Sequence, residues 1–177
     1  MKAVVFLLIA AYSWNVACGQ DTIPRPWKHY KETVITFGYN NNFAEKKDGE
    51  PRPKAVHFLD VGVWRTHASL GHHPVYATWY GAADIGLNTD KFTVAPKIGG
   101  FVGVMVLGTG GEFIYYTNFD GGSLRFHWQM LGYFTPYFKA AVGLVAPITN
   151  KNFNNMEKNM FMFNVTVRAF KIKRTNL

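Results

Sequence analysis

The chemistry this chain could carry lies in its histidines and in the charges set singly along alternating stretches. His67, His72 and His73 gather around a Gly-His-His-Pro turn, offering three nitrogen donors to a metal ion if neighbouring groups held their rings. His67-Ala68-Ser69 sets a possible general base two residues from a hydroxyl nucleophile. Neither set is complete. No glutamate follows in the next stretch, and Asp84 there lies on the opposite face from His67. The turn is expected to be a solvated connection, and no metal, cofactor or catalytic residue is expected. The remaining charges, Glu32, Asp60, Asp84, Lys97, Glu112, Arg125, His127, Lys139 and Arg168, occupy polar positions of alternating stretches, about one to each. Turned inward from a closed sheet they must pair, because an isolated charge away from water is costly. Counting from strand tops brings Lys97 to Glu112, with Asp84 and His127 close enough to join, and Arg168 to Glu32.

The elements that position these residues follow from period two, the repeat of a strand with one apolar and one polar face. The clearest is Leu124 to Tyr133, where Leu124, Phe126, Trp128 and Met130 alternate with Arg125, His127 and Gln129. Eight such strands are expected: Thr33 to Asn41, Val56 to His67, Val75 to Leu87, Phe92 to Phe101, Met105 to Thr117, Leu124 to Tyr133, Tyr137 to Ile148 and Asn159 to Ile172. The second is the least regular and is expected to hold a bulge. Pro96 implies a local irregularity in the fourth. Asp120-Gly121-Gly122 signals a hairpin between the fifth and sixth. No helix of useful length appears.

Eight sequential strands with mostly short connections predict an all-β fold, an eight-stranded antiparallel up-and-down β-barrel, closed because closure removes exposed edges. Three features turn its apolar face outward and make the barrel transmembrane. The polar face carries too few charges for a surface in water. The apolar face is rich in aromatics near strand ends, with Phe37, Tyr39, Trp79, Tyr115, Phe126, Trp128 and Phe138. The strands, of about 9 to 13 residues, match the roughly 9 to 11 that a tilted transmembrane strand needs. With both termini in the periplasm, the two longest connections, Asn42 to Pro53 and Thr149 to Lys158, fall outside, the usual arrangement.

Ala95-Pro96-Lys97-Ile98-Gly99, Tyr115-Tyr116-Thr117-Asn118-Phe119 and Pro147-Ile148-Thr149-Asn150-Lys151 resemble small outer-membrane β-barrel proteins of Gram-negative bacteria, over roughly the second half of the chain. The resemblance implies an outer-membrane location, insertion by the outer-membrane assembly machinery, and contact with outer-membrane lipid and lipopolysaccharide. The chain departs from the commonest pattern by finishing on Arg174-Thr175-Asn176-Leu177; Phe170 to Ile172 would then be the assembly signal, followed by a short tail. His67-Ala68-Ser69 also resembles the His-x-Ser arrangement of outer-membrane lipid A deacylases, a remote alternative activity.

Lys2 and the apolar run from Ala3 to Tyr12 have the layout of a cleaved signal peptide, and Ala17 and Gly19 set the cut before Gln20; a lipoprotein signal keeping Cys18 is the alternative. The expected organisation is residues 1–19 signal peptide, 20–32 periplasmic leader, 33–172 barrel and 173–177 tail. The lone cysteine of the chain precedes the cut, so no disulfide framework is expected. The net charge of +8 lies mostly in the N-terminal segment, the first long loop and the tail, away from the strands. That distribution favours anionic headgroups over nucleic acid, with Lys46, Lys47, Arg52 and Lys54 as loop contacts for lipopolysaccharide phosphates. A structural or surface-contact role without catalysis is expected. The competing class is a secreted lipocalin-like barrel holding an apolar ligand, which requires the apolar face inside. The sequence does not specify an oligomeric state.

Overall fold

The computed structural model describes residues 28–44, 55–71, 73–134, 137–150, 153 and 160–176. Eight strands follow in chain order: β1 Lys28–Ala44, β2 Val56–Leu70, β3 Val75–Gly86, β4 Val94–Val104, β5 Leu107–Thr117, β6 Gly122–Phe134, β7 Phe138–Pro147 and β8 Met160–Asn176. Each is antiparallel to its neighbours, and β8 returns to pair with β1, so the sheet closes into a ring without a free edge. No α-helix occurs among the described residues.

Inward and outward residues alternate along the central part of each strand. Thr36 and Asn40 of β1, Asp60 and Trp64 of β2, Tyr76 and Tyr80 of β3, and Arg125, His127 and Gln129 of β6 are buried inside the ring. Phe37, Val63, Trp79, Phe113, Trp128 and Phe163 stand exposed on its outer wall. Two apolar clusters fill the interior, one around Tyr30, Trp64, Tyr76 and Phe101, the other around Phe58, Tyr116, Val145 and Met162. Asp60 and Lys97 lie between them, whereas Glu32 sits beside the first, between Tyr30 and Val34. Along β2, Asp60 falls between Phe58 and Trp64, and along β4, Lys97 falls between Ala95 and Phe101.

Strand ends depart from the sequence expectation where the pattern is polar on both faces. β1 begins at Lys28, inside the segment expected as leader, and β8 runs through Asn176, the segment expected as tail. Their ends pair with each other and with β2, Tyr30 opposite Asn176 and Ala68. Lys31 and Thr33 on the outward side gave no apolar mark. β4 begins at Val94 rather than Phe92, and Met105 leaves the strand for the turn before β5, at a left-handed φ of 58°.

The bulge expected in β2 is elsewhere. β2 pairs with β1 and β3 in unbroken register. The register slips instead in β6 between Gln129 and Leu131, and twice where β8 meets β1, leaving Ala169 and Ile172 outside the ladder. Pro96 points outward, and the β4–β5 pairing passes over Ala95 and Pro96 between Val94–Thr117 and Lys97–Ile114, consistent with a missing backbone donor. β2 and β3, β4 and β5, and β6 and β7 succeed each other at the end where β1 starts and β8 finishes; β1 and β2, β3 and β4, β5 and β6, and β7 and β8 do so at the other.

Candidate functional site

The register sets the interior charges side by side. Asp60 of β2 is directly opposite Asp84 of β3, and Asp84 is opposite Ala95 of β4. Lys97, two residues further along β4 on the same face, reaches back between the two carboxylates. Its Nζ donates to Asp84 Oδ1 at 2.8 Å and also pairs with Asp60 Oδ2, all three groups being buried. One ammonium therefore neutralises part of a two-carboxylate repulsion that would otherwise be severe in so dry a place.

A second group lies on the neighbouring strands. Glu112 of β5 is directly opposite His127 of β6, and Glu112 Oε1 is 2.6 Å from His127 Nδ1. Tyr80 donates its hydroxyl to Glu112 Oε2 at 2.7 Å, and Gln129 Nε2 donates to Tyr80 at 3.1 Å. Lys97 and Glu112 do not pair directly, against the expectation: Lys97 is opposite Ile114, and Glu112 is opposite Gly99. Counting from Phe92 placed the top of β4 two residues too high, one step on the inward face. Asp84 and His127 belong to the network through different partners.

Arg168 of β8 meets Glu32 of β1, its Nη1 donating to Oε2 at 2.8 Å, as the closing pair of the ring requires. Lys139 of β7 is buried, its ammonium 4.7 Å from the centre of the Tyr80 ring and 5.8 Å from those of Trp64 and Phe101. Arg125 lies near the other end, Nε to Ser123 Oγ at 3.3 Å, its guanidinium 5.9 Å from the Tyr116 ring centre. Among the described residues, Glu32, Asp60, Asp84 and Glu112 thus face Lys97, Arg125, Lys139 and Arg168, four carboxylates against four cations, with His127 beside Glu112.

Sequence reasoning missed the neutral members. Asn40 and Asn164 hydrogen-bond across the β1–β8 seam, Asn42 Nδ2 donates to Tyr116 at 3.0 Å, and Thr66 and Thr78 hydroxyls lie 2.8 Å apart. The aromatic surround of Lys139 was missed too. Inward parity was the available signal for all of them; which would touch depends on register, which alternation alone leaves open.

His67 is on the outer wall, its ring 4.7 Å from that of Trp79, and its strand neighbours there are Lys31 and Ala77. Ser69 pairs with His29 and Val75, so no carboxylate stands beside either residue in the ladder. Among the described residues no group of three or more His, Cys, Asp and Glu could hold a metal; His72 lies outside them. Lys46, Lys47, Arg52 and Lys54 also lie outside the described residues. Asn164, which with Val165 and Thr166 spells a glycosylation acceptor, is buried within the ring. No family model matches the chain, and a search of curated proteins finds none similar to it.

Proposed function

We propose that this chain is an integral β-barrel of a bacterial outer membrane, with a structural or surface-contact role, its interior plugged by its own side chains and its outer loops available for contact. The observation that carries the reading is the inverted polarity of the ring. Its interior holds four carboxylates with their cations, while Val63 is 45% exposed, Phe113 50%, Trp128 51% and Ile98 67% on the outside. A soluble barrel that stores an apolar ligand needs the reverse. Such a wall suits hydrocarbon, and a closed ring satisfies its backbone groups without water. The outer wall also gathers aromatics toward the end with the longer connections: Phe43 stacks on Phe161 with ring centres 5.9 Å apart, and Phe92 on Phe119 at 6.2 Å. That end would face outward and the termini the periplasm.

A role without catalysis is supported by interior acids and bases that lie buried against partners, and by the cations, Lys31 and Arg65, beside His67. The protein is expected to stay with membranes through carbonate extraction and to migrate faster on gels before boiling than after. Release by carbonate together with unchanged migration would refute it. In planar bilayers the folded protein is expected to show no steady open-pore current, since an eight-stranded ring is only wide enough for its own side chains. A sustained large conductance would contradict the plug.

A further inference from the structure

Cations cluster in one region of the outer wall among the described residues. In the ladder, Lys173 of β8 is opposite Thr33 of β1, Thr33 opposite Arg65 of β2, and Arg65 opposite Trp79 of β3. One row nearer the strand ends, Lys31 is opposite His67. Lys31, Arg65 and Lys173 therefore share a small area of the outward face at the end that carries the termini. Among the described residues every carboxylate lies elsewhere: Glu32, Asp60, Asp84 and Glu112 are inside the ring, and Asp90 and Asp120 are in the connections at the opposite end. No carboxylate among the described residues of the outer wall neutralises the three cations.

The same row continues into a groove. Past Trp79 it runs through Gly100 of β4 and Gly111 of β5 to Trp128, the middle residue of β6. Two facing glycines leave bare backbone between two half-exposed indoles, and Val102 and Phe126 complete an apolar trough of about 470 Å³. Strand tilt carries the row from the cationic mouth toward the middle of the wall, so charge lies at one end of the trough and hydrocarbon surface along it.

We infer that this is a binding site for one anionic phospholipid, its phosphate at Arg65, Lys31 and Lys173 and one acyl chain along the Trp79–Trp128 trough. The inference rests on the membrane reading above. Guanidinium and ammonium groups at a membrane interface attract anionic headgroups, and a guanidinium fork matches phosphate oxygens. Trp79 stands where chain and headgroup meet, the usual place for an interfacial indole. A second copy of the chain is a poorer occupant, because its outer wall would bring cations to cations and no carboxylate among the described residues. Lipopolysaccharide belongs to the opposite leaflet, at the other end of the ring.

The test folds the full chain into phosphatidylethanolamine vesicles holding an equal fraction of acyl-brominated phosphatidylglycerol or acyl-brominated phosphatidylethanolamine. Bromine quenches nearby indoles, and subtracting the signal of Trp79→Phe isolates Trp79. Quenching of Trp79 is expected to report an association about tenfold stronger for the glycerol lipid. The triple variant Lys31→Gln, Arg65→Gln, Lys173→Gln is expected to abolish that preference, and Lys91→Gln at the far end to keep it. Equal quenching by both lipids in the wild type, or an unchanged preference in the triple variant, would overturn the site. Weak quenching by both lipids with cross-linking between copies at Val102 would also overturn it, giving the trough to a second copy. A wild-type chain that enters no vesicle would refute the membrane reading itself; insertion without lipid preference refutes only the site.

Discussion

Lys97→Ala is expected to lower unfolding stability by about 3 to 5 kcal/mol, the usual loss when one partner is removed from a buried ion pair. The structure gives the reason for a value at the upper end. Asp60 and Asp84 face each other across β2 and β3, both buried, and Lys97 is the cation that pairs with both. Without it two carboxylates remain adjacent with no water to screen them. The control is Lys91→Ala, which breaks a 2.8 Å pair with Asp120 whose side chains are 62% and 72% exposed. That pair holds the Asp120 carboxyl below its usual range through the hydrogen bond and charge of Lys91, yet solvent screens it, and its loss should barely move the transition. Urea titration of both variants in the same detergent gives the comparison. Adding Asp84→Asn to Lys97→Ala should recover part of the loss, since one of the opposed charges is then gone. Equal midpoints for Lys97→Ala and Lys91→Ala, or no recovery in the double variant, would show that the network is not what holds this layer together.

How far the sequence foretold this arrangement depended on what alternation encodes. It encodes facing, so the inward placement of Asp60, Asp84, Lys97, Glu112, His127 and Lys139 was legible before any register was known. It does not encode height. The step of two residues at the start of β4 was enough to exchange partners, giving Lys97 to the aspartates and leaving Glu112 to His127 and Tyr80. Closure between Arg168 and Glu32 survived because a long arginine side chain tolerates a displaced row, even with β8 slipping twice against β1. The strand ends at Lys28 and Asn176 were hidden for another reason: lysine, threonine and asparagine sit on both faces there, and pairing rather than pattern keeps them extended. The bulge in β6 was equally silent, since Met130 continues the alternation of the residues before it and only the ladders to β5 and β7 reveal the slip.

Gly143→Ala is expected to cost about 3 kcal/mol or more, at or above the top of the ordinary overpacking range. Gly143 faces inward on β7 opposite Gln129, next to the slip in β6. A Cβ there would fall inside contact distance of the Trp128 carbonyl oxygen, 2.8 Å from the carbonyl carbon and 2.6 Å from His127 Nε2. Two of those atoms are backbone and have no rotamer to change. The third belongs to an imidazole tied at 2.6 Å to Glu112, which in turn accepts from Tyr80, so swinging the ring aside would break the second charge group as well. Either β6 and β7 separate at the slip or the Glu112 cluster is lost, and both consequences fall on the interior. Gly81 on the outer wall of β3 provides the contrast, because a Cβ there meets no heavy atom within 4 Å. Gly81→Ala should therefore be neutral or stabilising by up to about 1 kcal/mol, through the lower backbone entropy of alanine in the unfolded chain. Folding yield from the heat-dependent gel shift, followed by urea midpoints of whatever folds, would compare the two. A Gly143→Ala protein that folds to wild-type yield with an unchanged midpoint would mean that β6 gives way easily at Met130, and that the slip there is a soft joint rather than a fixed seat for His127.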